Sequence, residues 1–311
     1  GDVDGNGLED FVVGGAAGMS AVLFSQTAVG KFQSRNIEPD GKLSEDEGLL
    51  LFDVDNDLDL DLYVVSGSFE FEPEHENYQD RLFLNDGRGN FSAATGALPG
   101  MRSSGSCARA ADFDADGDLD LFVGARVMPG QYPYTPNSSL LRNTNGKFEE
   151  VTAAIAPGLQ KVGMVSDALW TDANRDGKPD LLVVGEFMAP TLFVNDNGKL
   201  VLSKNAGLEK YKGWWTSLAG GDFDQDGDID YIAGNAGLNN YFKATDRTPL
   251  RVYAKDVDGN NSVDAVLSCY FLAEDGSLKE YPIHFWDELN SQSPKFRRKF
   301  ARYKQFAAVP M

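Results

Sequence analysis

The chain has 311 residues, 42% of them hydrophobic, and sets 28 basic against 48 acidic side chains for a formal net charge of −20. That balance excludes nucleic acid as a partner, because binding phosphates requires a positive surface to replace counterions. No apolar run approaches the ~20 residues of a membrane-spanning helix, so the chain itself is not expected to be transmembrane.

An acidic nonapeptide recurs six times: DVDGNGLED from Asp2, DVDNDLDLD from Asp53, DFDADGDLD from Asp112, DANRDGKPD from Asp172, DFDQDGDID from Asp222 and DVDGNNSVD from Asp256. Oxygen ligands at positions 1, 3 and 5 with a closing Asp at position 9 suit a hard cation such as Ca²⁺. With position 7 included, the candidate ligand sets are Asp2, Asp4, Asn6, Leu8 and Asp10; Asp53, Asp55, Asp57, Asp59 and Asp61; Asp112, Asp114, Asp116, Asp118 and Asp120. The remaining three are Asp172, Asn174, Asp176, Lys178 and Asp180; Asp222, Asp224, Asp226, Asp228 and Asp230; Asp256, Asp258, Asn260, Ser262 and Asp264. An EF-hand would carry a bidentate Glu at position 12, where these loops have Val13, Val64, Val123, Val183, Ala233 and Leu267. Short apolar runs follow each closing Asp, so each loop is expected to join two strands. Gly7, Gly117, Gly177 and Gly227 supply a permissive backbone at position 6, from which Leu58 and Asn261 depart.

One such string reads equally well as a solvated turn. Six of them crowd like charges at a cost on the order of 1 kcal/mol per close pair even in water, so the loops call for cations. Up to six Ca²⁺ ions are expected, one per loop. The loops hold 25 of the 48 acidic residues, and six Ca²⁺ would bring the net charge to about −8.

The first aspartates stand 51, 59, 60, 50 and 34 residues apart, a spacing that fits four-stranded propeller blades better than solenoid rungs. The chain opens inside the first loop with no strand before it, so residues outside it, or a strand from its end, are expected to complete the first blade. In the second repeat GLLLF, DLYVVSG, DRLFLNDG and NFSAA read as successive strands, the last two joined by a turn at Gly87 to Asn90. SCARAA, DLFVGA, SSLLRN and KFEEV repeat that order around Asn145 and Gly146, and DALWT, DLLVVGE, PTLFVND and KLVLS do so around Asn197 and Gly198. Asn or Asp with Gly between apolar runs marks hairpins. The fifth repeat leaves only GNAGLNNYFKATDRTP before the next strand, too little for two regular strands. Cys107 and Cys269 fall in strands of different repeats and read as buried free thiols.

The loops followed by FVVGG or DLFVGA, together with RLFLNDGRGNF and SLLRNTNGKF, resemble FG-GAP or VCBS repeats, the blades of the integrin α-subunit propeller and its bacterial relatives. GNAGLNNYF, RVYAKDVDGNNSVD and YPIHFWDELNSQSPKFRRKFARYKQFA are similar to large Bacteroidetes-type surface proteins that join FG-GAP repeats to an ASPIC/UnbV domain. The resemblance implies an all-β, integrin-like β-propeller of about six to seven four-stranded blades over residues 1–283. A helical segment over 284–311 is expected to dock on it, and the chain to continue in a longer protein. It also implies a location outside the cell, at a bacterial surface and associated with the outer membrane. Calcium at about 10⁻⁴ to 10⁻³ M affinity is likewise an extracellular choice.

By the same resemblance the calcium loops lie on one face and the ligand surface on the other. Three irregular connections would build that surface: residues 67–80, 126–137 and 211–215. They supply the candidate ligand residues Phe71, Tyr78, Arg126, Tyr132, Tyr134, Trp214 and Trp215, aromatics and an arginine of the kind that anchors protein or sugar partners, with gap-filling between blades as the alternative. Near the end, Phe296, Phe300 and Tyr303 share one face of a predicted basic helix capped by Ser293 and Pro294, whose charge complements the acidic body. There is no HExxH, GxSxG or phosphate loop, and a non-enzymatic role is expected. Attachment to a protein partner, within a membrane-associated nutrient-uptake complex, is the leading expectation. A carbohydrate-binding propeller and a polysaccharide lyase or glycosidase using acids such as Glu70, Glu72, Glu74 and Glu76 stay open.

Overall fold

A strand follows every acidic loop, and one also precedes each loop but the first, in the computed structural model, which describes residues 1–237, 239–273, 275–302 and 305–306. The chain divides into two compact units, one of residues 1–129 with 135–235 and one of residues 130–134 with the chain from 236 onward. In the first unit β1 (Phe11–Val13), β2 (Val22–Ala28) and β3 (Lys31–Asn36) form one antiparallel sheet. A second comprises β4 (Glu45–Phe52), β5 (Asp61–Gly67), β6 (Arg81–Leu84) and β7 (Ser92–Ala93). The third comprises β8 (Ser104–Ala111), β9 (Asp120–Val127), β10 (Ser139–Thr144) and β11 (Lys147–Glu150).

The fourth sheet holds β12 (Met164–Thr171), β13 (Asp180–Met188), β14 (Thr191–Asn195) and β15 (Leu200–Leu202). The pair β16 (Gly213–Gly221) and β17 (Asp230–Asn235) joins it where β16 meets the end of β13. Each complete sheet is thus an up-and-down meander, with the acidic loop between its first and second strands. Four strands per repeat hold in the second, third and fourth repeats. The first has three and the fifth two, because residues 236–250 form no strand among the described residues.

Stacking follows from the period-2 alternation of the second strands, which are buried on both faces. Leu62 and Val64 of β5 face Val12 and Ile37 of the first sheet, whereas Tyr63 and Val65 face Leu121 and Val123 of β9. On β9, Phe122 then points the other way, toward Leu181 and Val183 of β13. Gly124 allows the third and fourth sheets to approach, since a Cβ there would lie 2.6 Å from Val165 Cγ1 and 2.8 Å from Cys107 Sγ. Cys107 and Cys269 are both buried free thiols, as the sequence suggests, and burial pushes the Cys107 thiol up to about 11.

Buried polar ties lock adjacent sheets together. Asn85, Asn143 and Asn195 end the third strand of their sheets and are almost fully buried. Their Nδ2 groups donate to Val3 O (2.8 Å), Val54 O (2.7 Å) and Phe113 O (2.7 Å), each at position 2 of the preceding repeat's acidic loop. Ser106 Oγ donates to Val165 O (2.7 Å) and Ser166 Oγ to Trp215 O (2.9 Å), joining consecutive first strands. Between the first and second sheets, Arg81 pairs with both Glu38 and Asp46, and Lys42 joins Asp46 at 3.0 Å.

The second unit contains β18 (Arg251–Lys255), β19 (Asp264–Leu272) and β20 (Leu278–Pro282), with the sixth loop between β18 and β19. Helices α2 (Trp286–Gln292) and α3 (Pro294–Lys299) follow, after the single short helix α1 (Thr152–Ile155) of the first unit. Ser293 caps α3 as predicted, its Oγ accepting from Lys295 N. The expected long amphipathic helix is corrected to six residues, because Phe300 leaves the helical region and its carbonyl accepts from Trp286 Nε1 at 2.8 Å. Tyr303 and Lys304 lie outside the described residues. The cap rests on the sixth loop: Ser293 Oγ donates to Asp258 Oδ2 (3.1 Å) and Lys295 Nζ to Val257 O.

Replacing Asn143 by Ala removes the donor to Val54 O and Leu119 O inside the core. A loss of about 2 to 3 kcal/mol is expected from leaving such groups unpaired, read as a lower urea midpoint at unchanged slope. A midpoint equal to that of the parent protein would remove the inter-sheet role assigned to this residue.

Candidate metal centres

All six loops adopt one backbone conformation. Position 6 is left-handed whatever occupies it, with φ of 82° at Gly7, 98° at Gly117, 82° at Gly177 and 93° at Gly227, and also 75° at Leu58 and 67° at Asn261. Position 4 is left-handed too, at Gly5, Asn56, Ala115, Arg175, Gln225 and Gly259, a regularity that the residue types there conceal. These two reversals curl the backbone so that N–H groups point inward at the carboxylate of position 1. Asp112 shows the pattern, accepting from Asp116 N (3.1 Å) and Gly117 N (3.0 Å), and Asp2, Asp53, Asp172, Asp222 and Asp256 repeat it. The side chain at position 5 accepts from the N–H at position 7, whether it is Asp116 (2.9 Å) or the amide of Asn6 (2.8 Å) or Asn260 (2.7 Å).

The closing carboxylate does most of the positioning. Its Oδ2 accepts from the N–H of position 2: Val3 to Asp10, Val54 to Asp61, Phe113 to Asp120, Ala173 to Asp180, Phe223 to Asp230 and Val257 to Asp264, all between 2.8 and 3.1 Å. In the first four repeats Oδ1 accepts from the next strand, at Gln26 N (2.7 Å), Asn85 N (2.8 Å), Asn143 N (2.8 Å) and Asn195 N (2.7 Å). Asp10, Asp61, Asp120, Asp180 and Asp264 are buried. Desolvation, only partly offset by these N–H groups, raises Asp61 to about 6 and Asp120 to about 7, and raises Asp180 as well.

Carboxylate oxygens converge within 4.8 Å of one another in five loops: Asp2, Asp4 and Asp10; Asp53, Asp55 and Asp57; Asp112, Asp114 and Asp120; Asp222, Asp224 and Asp230; Asp256, Asp258 and Asp264. The fourth loop has Asn174 at position 3 and is not among these triads of the described residues. Within the sets, Asp55 Oδ1, Asp114 Oδ1 and Asp258 Oδ1, all at position 3, are buried without a hydrogen-bond partner, as is Asp59 Oδ1. Buried anionic oxygens with no donor are what a cation would satisfy, so the residues present fit a hard divalent ion. Asp59, raised to about 6 by burial and then by Asp57, carries the same signature.

Position 7 differs from the others. Lys178 Nζ donates to Asn197 Oδ1 (2.9 Å), Asp118 accepts from Asn56 Nδ2 (2.7 Å) and Asn145 N (2.8 Å), and Asp228 pairs with Arg175. With Leu8 and Ser262 also at this position, the backbone carbonyl is the only group common to all six. The hairpin of the following sheet covers position 3. Ideal Cβ atoms on Gly89, Gly146 and Gly198 would stand 3.6, 3.4 and 3.4 Å from the Cβ of Asp4, Asp55 and Asp114. These glycines also have positive φ, so hairpin turns legible as turns double as lids on the neighbouring loop. Asn85, Asn143 and Asn195 were visible in the sequence only as strand ends, although their recurrence after LFL, LLR and LFV was the available signal.

The strand ends opposite the loops of the first unit hold several of the candidate ligand residues. Arg126 pairs with Glu186 (2.7 Å), and Trp214 stacks obliquely on Phe187 with centroids 5.3 Å apart. Trp215 is half-buried, its Nε1 donating to Met188 O at 3.1 Å. Tyr78 is 1% exposed and its hydroxyl brackets Phe71, accepting from Phe71 N and donating to Phe71 O, while the Phe71 ring stacks on His75. Burial therefore makes Tyr78 an anchor of its loop and takes it out of the set a partner can touch. Asp80, at the end of this loop, is buried against Tyr63 and pushed up to about 7 by desolvation. Tyr132 and Tyr134 belong to the second unit, Tyr134 being exposed.

Leu58 is 93% exposed and has φ 75°, so its side chain gains nothing from burial while its backbone is held where L-residues are strained. Leu58→Gly is expected to stabilise the protein by about 1 kcal/mol, measured by denaturant unfolding. A loss of stability would show that the left-handed geometry at position 6 is misassigned.

No curated protein is similar to the chain in sequence. Among solved structures, the V. cholerae biofilm matrix protein Bap1 is similar at 16% identity and a TM-score of 0.37, over 78% of this chain and 38% of that protein. The FG-GAP-like repeat family matches residues 53–123 and 172–233. Each match begins at position 1 of one acidic loop and ends at position 12 of the next, so these two regions are FG-GAP-like repeats framed by acidic loops.

Proposed function

We propose that the protein is a calcium-stabilised β-propeller that acts as an extracellular binding module at a bacterial surface. Its acidic loops are structural clips and its ligand surface lies at the opposite strand ends. The observation that carries the metal reading is the recurrence of the orphaned position-3 oxygen at Asp55, Asp114 and Asp258. Calcium suits loops that offer several carboxylates and a backbone carbonyl in a flexible cage, at affinities met outside the cell. Propeller closure is supported by the stacked meanders and by the apolar side chains left exposed on the first and last sheets of the first unit. These include Phe11 and Phe32 at one end and Phe223 and Ile232 at the other, which a closed ring would cover.

The hydrogen bonding of the closing carboxylates supports a structural role for the loops. In the first four repeats the closing aspartates are buried and accept backbone N–H groups on both oxygens, which suits them to hold the scaffold. Thermal melts with and without chelator test the reading. At calcium 100 times Kd each independent site should contribute about 2.7 kcal/mol, so the melting temperature is expected to fall sharply in EDTA and return with Ca²⁺. An unchanged midpoint would overturn structural calcium binding.

A further inference from the structure

Each first strand of the first unit carries a bulge near its start, and the residues there form a series. Glu47 occupies it in β4, Ser106 in β8, Ser166 in β12 and Thr216 in β16. Ser106 and Ser166 use the site to bridge to the next first strand, as described above. Glu47 is the departure: a carboxylate stands where the repeat uses a hydroxyl, and burial raises its pKa. A Cβ on Gly67 would meet both Glu47 Cγ and Gly105 O, and Gly105 pairs with Ala125, so Glu47 lies beside the end of β9 where Arg126 stands; Arg126 is itself held by Glu186, whose Oε1 accepts from Arg126 Nε at 2.8 Å. The Glu186 side chain is 4% exposed and that of Arg126 is 53% exposed, so the guanidinium is fixed from below and open above.

Beside this pair the backbone is forced. Phe187 has φ 55°, a rare conformation for a bulky aromatic, at a register shift where β13 meets β16. That conformation sets its ring against Trp214, which pairs across the strands with Glu186. Strained residues of this kind persist where the surroundings over-determine them and cluster at binding sites. The result is an aromatic surface beside an acceptor and a donor fork, all at the strand ends away from the acidic loops.

We propose that Glu47, Arg126, Glu186, Phe187 and Trp214 form a binding site for a sugar unit of a neutral glycan. This rests on the binding-module reading and chooses among the ligand classes that the sequence leaves open. A pyranose offers an apolar face to an aromatic ring and hydroxyls that both donate and accept, matching a carboxylate beside a guanidinium. A cationic ligand group would meet Arg126, and an anionic polysaccharide would meet Glu47 and a chain of net charge −20.

Affinity electrophoresis of the calcium-loaded chain through gels containing a β-glucan, a mannan, a xylan or polygalacturonate tests the proposal. Retardation by at least one neutral polysaccharide and not by polygalacturonate is expected. Trp214→Ala and Glu47→Gln should each weaken it at least tenfold, the second without altering the melting temperature. Absence of retardation by all three neutral polymers, or retention of full binding in Glu47→Gln, would overturn the site even where chelator melts uphold the calcium scaffold. Capture of an oligolysine peptide that is lost in Glu47→Gln would likewise overturn it, in favour of a protein contact.

Discussion

The structure depends on a carboxylate that reaches in two directions. In the first four repeats the aspartate at position 9 takes the N–H of position 2 on one oxygen and an N–H at the next strand on the other. One side chain therefore closes the loop and sets the register of the strands on both sides of it. The arrangement needs a buried anion, which is costly unless hydrogen-bonded and paired with positive charge. Backbone N–H groups supply the first requirement, and the converging acids at positions 1 and 3 point to a cation for the second.

Asparagines carry that rigidity from one sheet to the next. Asn143 offers its N–H to Asp120 and its Nδ2 to Val54 O in the preceding repeat, and its Oδ1 accepts from Gly146 N in its own hairpin. A loop, a strand end and a neighbouring loop are thus joined through one residue; Asn195 repeats all three bonds, and Asn85 the first two, its Oδ1 accepting from Asp86 N. The fifth loop lacks such a cover among the described residues of its unit, and its acids are correspondingly exposed. Stability and metal affinity are expected to be properties of junctions between repeats more than of single loops.

Much of this was legible in the sequence because the loop motif fixes ligand type, strand order and repeat length together. Strand identities in the second to fourth repeats follow from alternation and hairpin residues, and the apolar position 12 correctly predicts a strand after each loop. What escaped was conformation hidden by residue type: position 4 is left-handed at Ala115, Arg175 and Gln225, where nothing in the composition announces it. A buried and an exposed aromatic are identical in sequence, so Tyr78 and Trp215 read either as contact residues or as fillers of gaps between blades. Phe300 fitted a helical period, but tertiary contact with Trp286 ends the helix before it. Glu47 and Phe187 are not distinguished by the sequence, since their settings are a bulge and a φ angle.

Two kinds of acid share one loop, and the melting temperatures of Asp116→Asn and Asp120→Asn tell them apart. An amide at position 116 keeps the acceptor for Asp118 N, as Asn6 and Asn260 do in their loops, and removes only the charge. An amide at position 120 removes one of two buried acceptors. In chelator, Asp116→Asn should melt at or above the parent temperature and Asp120→Asn well below it; in calcium both should melt below the parent. An Asp120→Asn protein that melts with the parent in chelator would contradict the account.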